Sequence, residues 1–257
     1  NAHLKDMANI AMGGVVGSNI SNVFLIIGAS ALITPLISDL RPIRDDMIMM
    51  GLASLALAGL LQFDVLPQWV GTVMIAVLVA YTAFRIMHTR KDPNAAQDLP
   101  DIPDQNMLKT VLLLVGGLIF LAVGAEFLVR GAGTSARMLG VPELVIGLTL
   151  VAFGTSAPEL AACVAAAIKR QPGMVVGNIL GSNVFNILSI LGVAILIKPL
   201  PVAALSPALM SRDIPIMVAS AFALILALVL FKRVPRWVGI LFITLYVAYI
   251  LLLGLSV

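Results

Sequence analysis

Residues Gly13–Leu36 read GGVVGSNISNVFLIIGASALITPL, and residues Gly177–Leu200 read GNILGSNVFNILSILGVAILIKPL. The two stretches are one pattern written twice, 164 residues apart. Gly17, Ser18, Asn19, Asn22, Gly28 and Pro35 return as Gly181, Ser182, Asn183, Asn186, Gly192 and Pro199. Apolar residues coincide by chance in so hydrophobic a chain, but Gly-Ser-Asn followed three places later by a second Asn is polar and costly in lipid. A polar motif duplicated inside two membrane-length apolar runs points to a duplicated ion or solute site.

The rest of the composition agrees with a membrane setting. Of the 257 residues, 60% are hydrophobic and 11% charged, too little polar surface to coat a soluble globule. The fold class is an all-α polytopic membrane protein. A net charge of +3 and a pI near 9.3 do not indicate a nucleic-acid partner, because the basic residues are scattered among short loops. The single cysteine, Cys163, sits in an apolar run and reads as a small packing residue. The polar start, Asn1 to Asp6, shows no cleavable signal peptide.

Apolar runs of about twenty residues predict eight helices. They fall near Ile10–Leu36, Met47–Gln62, Trp69–Met87, Leu108–Val129, Pro142–Ile168, Met174–Ile197, Ile214–Phe231 and Trp237–Leu255. The Met47 span is short and calls for tilt or local thinning. Beyond the polar motif the duplication continues at an offset of about 168, where Arg44-Asp45 meets Arg212-Asp213. Pro67, Trp69, Val70, Gly71, Ala80 and Tyr81 likewise meet Pro235, Trp237, Val238, Gly239, Ala248 and Tyr249.

This spacing divides the chain into residues 1–88, the last three helices of a first repeat, a linker at 89–106, and residues 107–257, a second repeat of five helices. By symmetry about two helices are expected before Asn1, giving about ten in the parent. An odd number per repeat inserts the second copy upside down, so the repeats are inverted. The linker side carries eleven Lys and Arg residues against five on the other, which puts the linker in the cytoplasm and the C-terminus outside. The expected location is the cell inner (plasma) membrane.

The fifth span carries Gly154-Thr155-Ser156-Ala157-Pro158-Glu159-Leu160, a carboxyl group in mid-membrane. Pro158 has no N–H for the Gly154 carbonyl, so the helix is expected to open there and expose backbone oxygen. Thr155 and Glu159 share a helix face, as do Ser18 with Asn22 and Ser182 with Asn186. Converging near the midplane, these groups form an oxygen cage for a hard cation. Calcium accepts about six to eight such ligands, whereas zinc prefers nitrogen and sulfur. The candidate ligands are Glu159, Thr155, Ser156, Gly154, Ser182, Asn186, Ser18 and Asn22.

One Glu only half neutralises a divalent ion, so a second is expected five positions before Asn1, where the repeat places the mate of Glu159. Two carboxylates balance one Ca2+, two Na+ or two protons, which is the physical basis for exchange. Structural readings cover the other intramembrane charges. Glu126 is expected to pair with Arg130 one turn later, Glu143 to serve as a first-turn acid, and Trp69 and Trp237 to anchor at the interface.

At these residues the chain resembles the calcium/cation antiporter superfamily, which includes sodium/calcium exchangers and their bacterial relatives. GTSAPEL at Gly154–Leu160 followed by GNILGSNVFN at Gly177–Asn186 is similar to its second alpha repeat, and GGVVGSNISN at Gly13–Asn22 to the latter half of its first. The resemblance implies ten helices in inverted halves, a central cation site, and alternating access in which two peripheral helices slide over a stable core. Only the second of that pair, Leu108–Val129, lies in this chain. Glu159, Thr155, Ser156, Ser182, Asn186, Ser18 and Asn22 match the family's ion-binding positions. Sodium/calcium members tend to carry an acid where this chain has Asn186, and the amide moves the site toward the pattern of proton-coupled relatives.

The expected function is therefore a secondary antiporter exchanging Ca2+ for Na+, with a proton-coupled Ca2+ antiporter as the alternative and a passive cation channel below both. No cofactor is expected beyond the transported ions, and the partners are those ions and the bilayer. An enzyme is not expected: the Asp residues cluster at loops and span ends, and His3 and His88 lie at the edges.

Overall fold

The computed structural model describes residues 2–37, 40–91, 107–138 and 152–255. Eight helical runs fill them. α1 spans residues 2–33 and is built from Ala2–Ser21, a π-helical segment Asn22–Ile27, and Gly28–Ile33. α2 is Leu40–Leu60, α3 Gln68–Lys91, α4 Met107–Met138 and α5 Ala152–Ile168. α6 spans 172–197 as Pro172–Phe185, a π segment Asn186–Leu191, and Gly192–Ile197. α7 joins a π segment Leu209–Asp213 to Ile214–Phe231, and α8 is Arg236–Leu255. Among the described residues, five runs are long and apolar enough to cross a membrane: Ala11–Ile33, Gln68–His88, Pro172–Ile197, Leu209–Phe231 and Arg236–Leu255. The protein is an all-α polytopic membrane fold, as its composition predicts.

Matched prolines end the two motif helices in the same way. Steric pressure from Pro35 and Pro199 pushes the residue before each into an extended conformation, Thr34 at φ −144° and Lys198 at φ −149°. Each chain then enters a two-residue strand, β1 (Leu36–Ile37) or β3 (Leu200–Pro201). The partners are β4 (Arg233–Val234) and β2 (Val65–Leu66), both antiparallel. Each miniature sheet therefore joins the end of a motif helix in one repeat to the entry of the last helix in the other.

Two helix contacts repeat the same exchange. α8 packs on the last part of α1, where a Cβ on Gly28 would stand 2.8 Å from Ile243 Cγ1. α3 packs on the last part of α6, where a Cβ on Gly192 would stand 3.2 Å from the Met74 Cβ. Gly28 and Gly192 are motif mates, as are Gly239 and Gly71 opposite them, so each pair lets backbones approach as small residues do in membranes.

α1 and α6 cross antiparallel at the centre. At one end Asn9 of α1 donates to the Ala204 carbonyl at 3.3 Å and accepts from the Ser206 N–H at 2.8 Å. At the other end β1, which follows α1, lies against the Pro172–Phe185 part of α6. The buried core is nearly all aliphatic and runs through this crossing, with Ile20, Val23, Ile179, Leu180 and Ile187 sealed from solvent.

Two sequence expectations need correction. α2 begins at Leu40, seven residues before Met47, and its first turns carry Arg41, Arg44, Asp45 and Asp46, so the helix is longer than the apolar run that starts at Met47. Its charged start is held inside the fold: Arg85 donates to Asp46 at 3.0 Å and to the Pro42 carbonyl at 2.8 Å, and Tyr81 donates to Asp46. The expected match of Arg44-Asp45 with Arg212-Asp213 reappears as two adjacent ion pairs, Arg44–Asp45 at 3.5 Å and Arg212–Asp213 at 2.8 Å, and Tyr249 faces Asp213 much as Tyr81 faces Asp46. Finally, α5 runs unbroken through Pro158, so the proline removes one hydrogen bond without opening the helix. Residues 142–151 of the expected fifth span, with Glu143, and residues 92–106 of the linker lie outside the described residues.

Candidate functional site

The Gly-Ser-Asn-x-x-Asn motifs meet where α1 crosses α6. Asn22 donates its side-chain N–H to Asn183 Oδ1 at 3.0 Å, and Asn186 donates to Asn19 Oδ1 at 2.9 Å. The two bonds are images of one another, since Asn19 matches Asn183 and Asn22 matches Asn186. Asn19 donates further to the Asn183 carbonyl at 3.3 Å and to Met217 Sδ at 3.9 Å, and Asn183 donates to Met50 Sδ at 3.6 Å. Asn19, Asn22 and Asn183 are each no more than 2% exposed. Interhelical bonds of this kind contribute about 0.6 kcal/mol each in a membrane, too little to hold two halves together. Their directions matter more than their strength.

Both outer asparagines open a π-helical segment. Asn22 begins Asn22–Ile27 and Asn186 begins Asn186–Leu191. A π bulge adds a residue to the turn and frees backbone from the regular ladder, and such segments concentrate at functional sites. The twofold pattern thus extends from sequence to helix type.

Glu159 approaches from α5. It lines a cleft of about 350 Å³ with Gly177, Asn178, Gly181, Ser182, Phe185 and Asn186. Its Oε2 is buried and has no hydrogen-bond partner among the described residues, and the same holds for Asn22 Oδ1. Both orphans are acceptors, so neither can satisfy the other; each calls for a donor or a cation. Among the described residues no three His, Cys, Asp or Glu side chains come together, which leaves amides, hydroxyls and one carboxylate as the chemistry of this region.

Of the expected ligands, Glu159, Ser182 and Asn186 share the cleft. Asn22 joins the same centre through Asn183 rather than by lining the cleft. Gly154 and Ser156 are buried on α5, five and three residues before Glu159, and Ser18 is half-buried on α1, while the Thr155 side chain lies outside the described residues. Sequence reasoning noticed Asn19 and Asn183 as repeated residues but gave them no role. It also missed Asn178, which lines the cleft and donates to Cys163 Sγ at 3.2 Å, and whose motif mate is Gly14. The expected Glu126–Arg130 pair forms at 2.6 Å on the exposed face of α4.

The family model for "Sodium/calcium exchanger protein" matches residues 2–87 and 109–255. The chain belongs to the sodium/calcium exchanger family. An uncharacterized membrane protein of Methanocaldococcus jannaschii is 34% identical over 242 residues, covering 93% of this chain and 74% of that protein. The inner membrane protein YrbG of Escherichia coli K12 is 32% identical over 250 residues, covering 93% of this chain and 75% of its own length. Among solved structures, one of the sodium-calcium exchanger NCX_Mj superimposes with a TM-score of 0.76 at 32% identity, covering 97% of this chain and 79% of that one. Membership agrees with the geometry of two repeated motifs facing one another at the centre of the helical fold.

Proposed function

We propose that this protein is a secondary antiporter that exchanges Ca2+ for Na+ across the membrane by alternating access. Its cation is held near the bilayer midplane by oxygens of Glu159, Gly154, Thr155, Ser156, Ser182, Asn186, Ser18 and Asn22. The observation that carries this reading is the pair of buried acceptors without partners, Glu159 Oε2 and Asn22 Oδ1, contributed by helices of different repeats. Leaving such an oxygen bare costs about 1–3 kcal/mol, and a cation removes that penalty for several oxygens at once. The Gly154 carbonyl, which Pro158 cannot serve, adds a backbone oxygen on the same helix. Kinship with NCX_Mj, a sodium-calcium exchanger, supports the choice of ions.

The same reading assigns residues 1–88 and 107–257 to opposed repeats, with the linker at 89–106 cytoplasmic and the C-terminus outside. A cell inner membrane location is supported by the similarity to YrbG, an inner membrane protein. A second reading, proton-coupled Ca2+ antiport, is favoured by one specific feature: the position of Asn186 carries an amide where a carboxylate would hold a second sodium. Uptake of Ca2+ into vesicles under a sodium gradient at fixed pH, then under a pH gradient without sodium, separates the two. Uptake driven by sodium supports exchange with Na+; uptake driven only by the pH gradient replaces it with the proton-coupled reading.

A further inference from the structure

We propose that Asn19 and Asn183 are positioning residues that turn the amides of Asn186 and Asn22 so that their oxygens, and not their N–H groups, face the transported cation. The inference rests on the ion site proposed above and deepens it. An asparagine amide presents an oxygen and an NH2 of nearly equal size, so polarity alone decides which way it faces. A cation site tolerates only one of the two orientations.

The polarity is set from outside inward. Asn183 directs its NH2 at Met50 Sδ, 3.6 Å away, and Asn19 directs its NH2 at Met217 Sδ and at the Asn183 carbonyl. A thioether and a carbonyl accept hydrogen bonds and cannot donate them, so the inverted amide would set oxygen against an acceptor. With its NH2 so committed, each inner asparagine turns Oδ1 toward the opposite repeat. There it receives the N–H of Asn22 at 3.0 Å or of Asn186 at 2.9 Å. The outer amide is then fixed in its turn, with its NH2 occupied and its oxygen released. For Asn22 that oxygen is buried and without a partner. Sulfur orients the first amide, the first orients the second, and the second offers oxygen.

Met50 and Met217 occupy corresponding places in α2 and α7, each accepting from the inner asparagine of the other repeat, so the relay is built twice. A carboxylate needs no such orientation, because both of its oxygens accept. The relay is therefore specific to a site that uses amides at Asn22 and Asn186.

A double-mutant cycle in liposomes tests this, reading the Ca2+ concentration that half-saturates uptake of radioactive Ca2+. Asn183→Leu, close in volume and unable to accept, raises that concentration about tenfold in the parent protein, the scale set by misdirecting one buried polar group. In an Asn22→Ala background the same change has less than about a twofold effect, since the amide it steers is gone. If Asn183→Leu does not fold, Met50→Leu takes its place in the cycle, with an expected rise of about threefold that Met50→Gln, which restores an acceptor, reverses. An equal effect in both backgrounds, or none in the parent, overturns the positioning role and leaves the antiporter reading standing. Absence of Ca2+ uptake by the parent protein overturns the antiporter reading and this inference with it.

Discussion

Glu159 and Asn186 line one cleft from two different helices, a carboxylate on α5 and an amide on α6. The first carries the only charge among the described residues that line the cleft, and the second opens the π segment of the repeated motif. Their separate chemistry makes separate predictions.

Glu159→Gln keeps volume and removes charge. Ca2+-dependent uptake is expected to fall by more than about tenfold, because the amide cannot neutralise a divalent ion in a medium of low dielectric. Yield and detergent stability are expected to match the parent. Uptake near the parental rate would remove this residue from the ion site.

Asn186→Asp adds the missing charge. Cation affinity is expected to rise by about tenfold, with stronger dependence on sodium, measured as inhibition of Ca2+ uptake by external Na+. The gain is net of a lost bond, since Asp cannot donate to Asn19 Oδ1 and the Asn19 amide must turn over. Unchanged affinity and sodium dependence would set Asn186 outside the cage.

Gly239→Ala tests the close approach of α8 to α1. The new methyl would meet the Gly28 carbonyl oxygen at 2.9 Å and the Ala31 methyl at 3.0 Å, so the helices must part. Overpacking of this kind costs about 1–3 kcal/mol and is expected to lower the thermal midpoint in detergent. Gly254→Ala, on the same helix with open space around it, is expected to leave the midpoint unchanged.

Tyr81→Phe removes the hydroxyl that donates to Asp46 and leaves Arg85 as its partner. A bond to a charged group contributes about 1.5–3 kcal/mol, so the thermal midpoint falls while the half-saturating Ca2+ concentration stays within about twofold of the parent. A large change in Ca2+ affinity would tie this cluster to the ion site.

Much of the architecture was legible because lipid imposes simple rules. Runs of apolar length located the helices, although the first was carried through Pro35 to Leu36 where the helix stops at Ile33. The start of α2 was misjudged because Arg44, Asp45 and Asp46 read as a loop; only the fold reveals that Arg85 and Tyr81 come from α3 to hold them. Pro158 was credited with a break that a single missing hydrogen bond does not force. Glu159, Ser182 and Asn186 were readable as a group because duplication and polarity marked them. The roles of Asn19 and Asn183 were hidden, since a side chain's partner across 161 or 167 residues is a property of the crossing and not of the motif. Met50 and Met217 carried no signal at all: methionine on an apolar helix looks like packing until an amide is found facing its sulfur.

The two-residue strands have a larger meaning than their size. Among the described residues β1 pairs with β4 and β2 with β3, and the glycine faces of Gly28 and Gly192 are likewise covered by the opposite half. Among the described residues each half lends the other the strand and the helix face that close its motif helix, so separating the halves would bare both glycine faces and both strand edges at once.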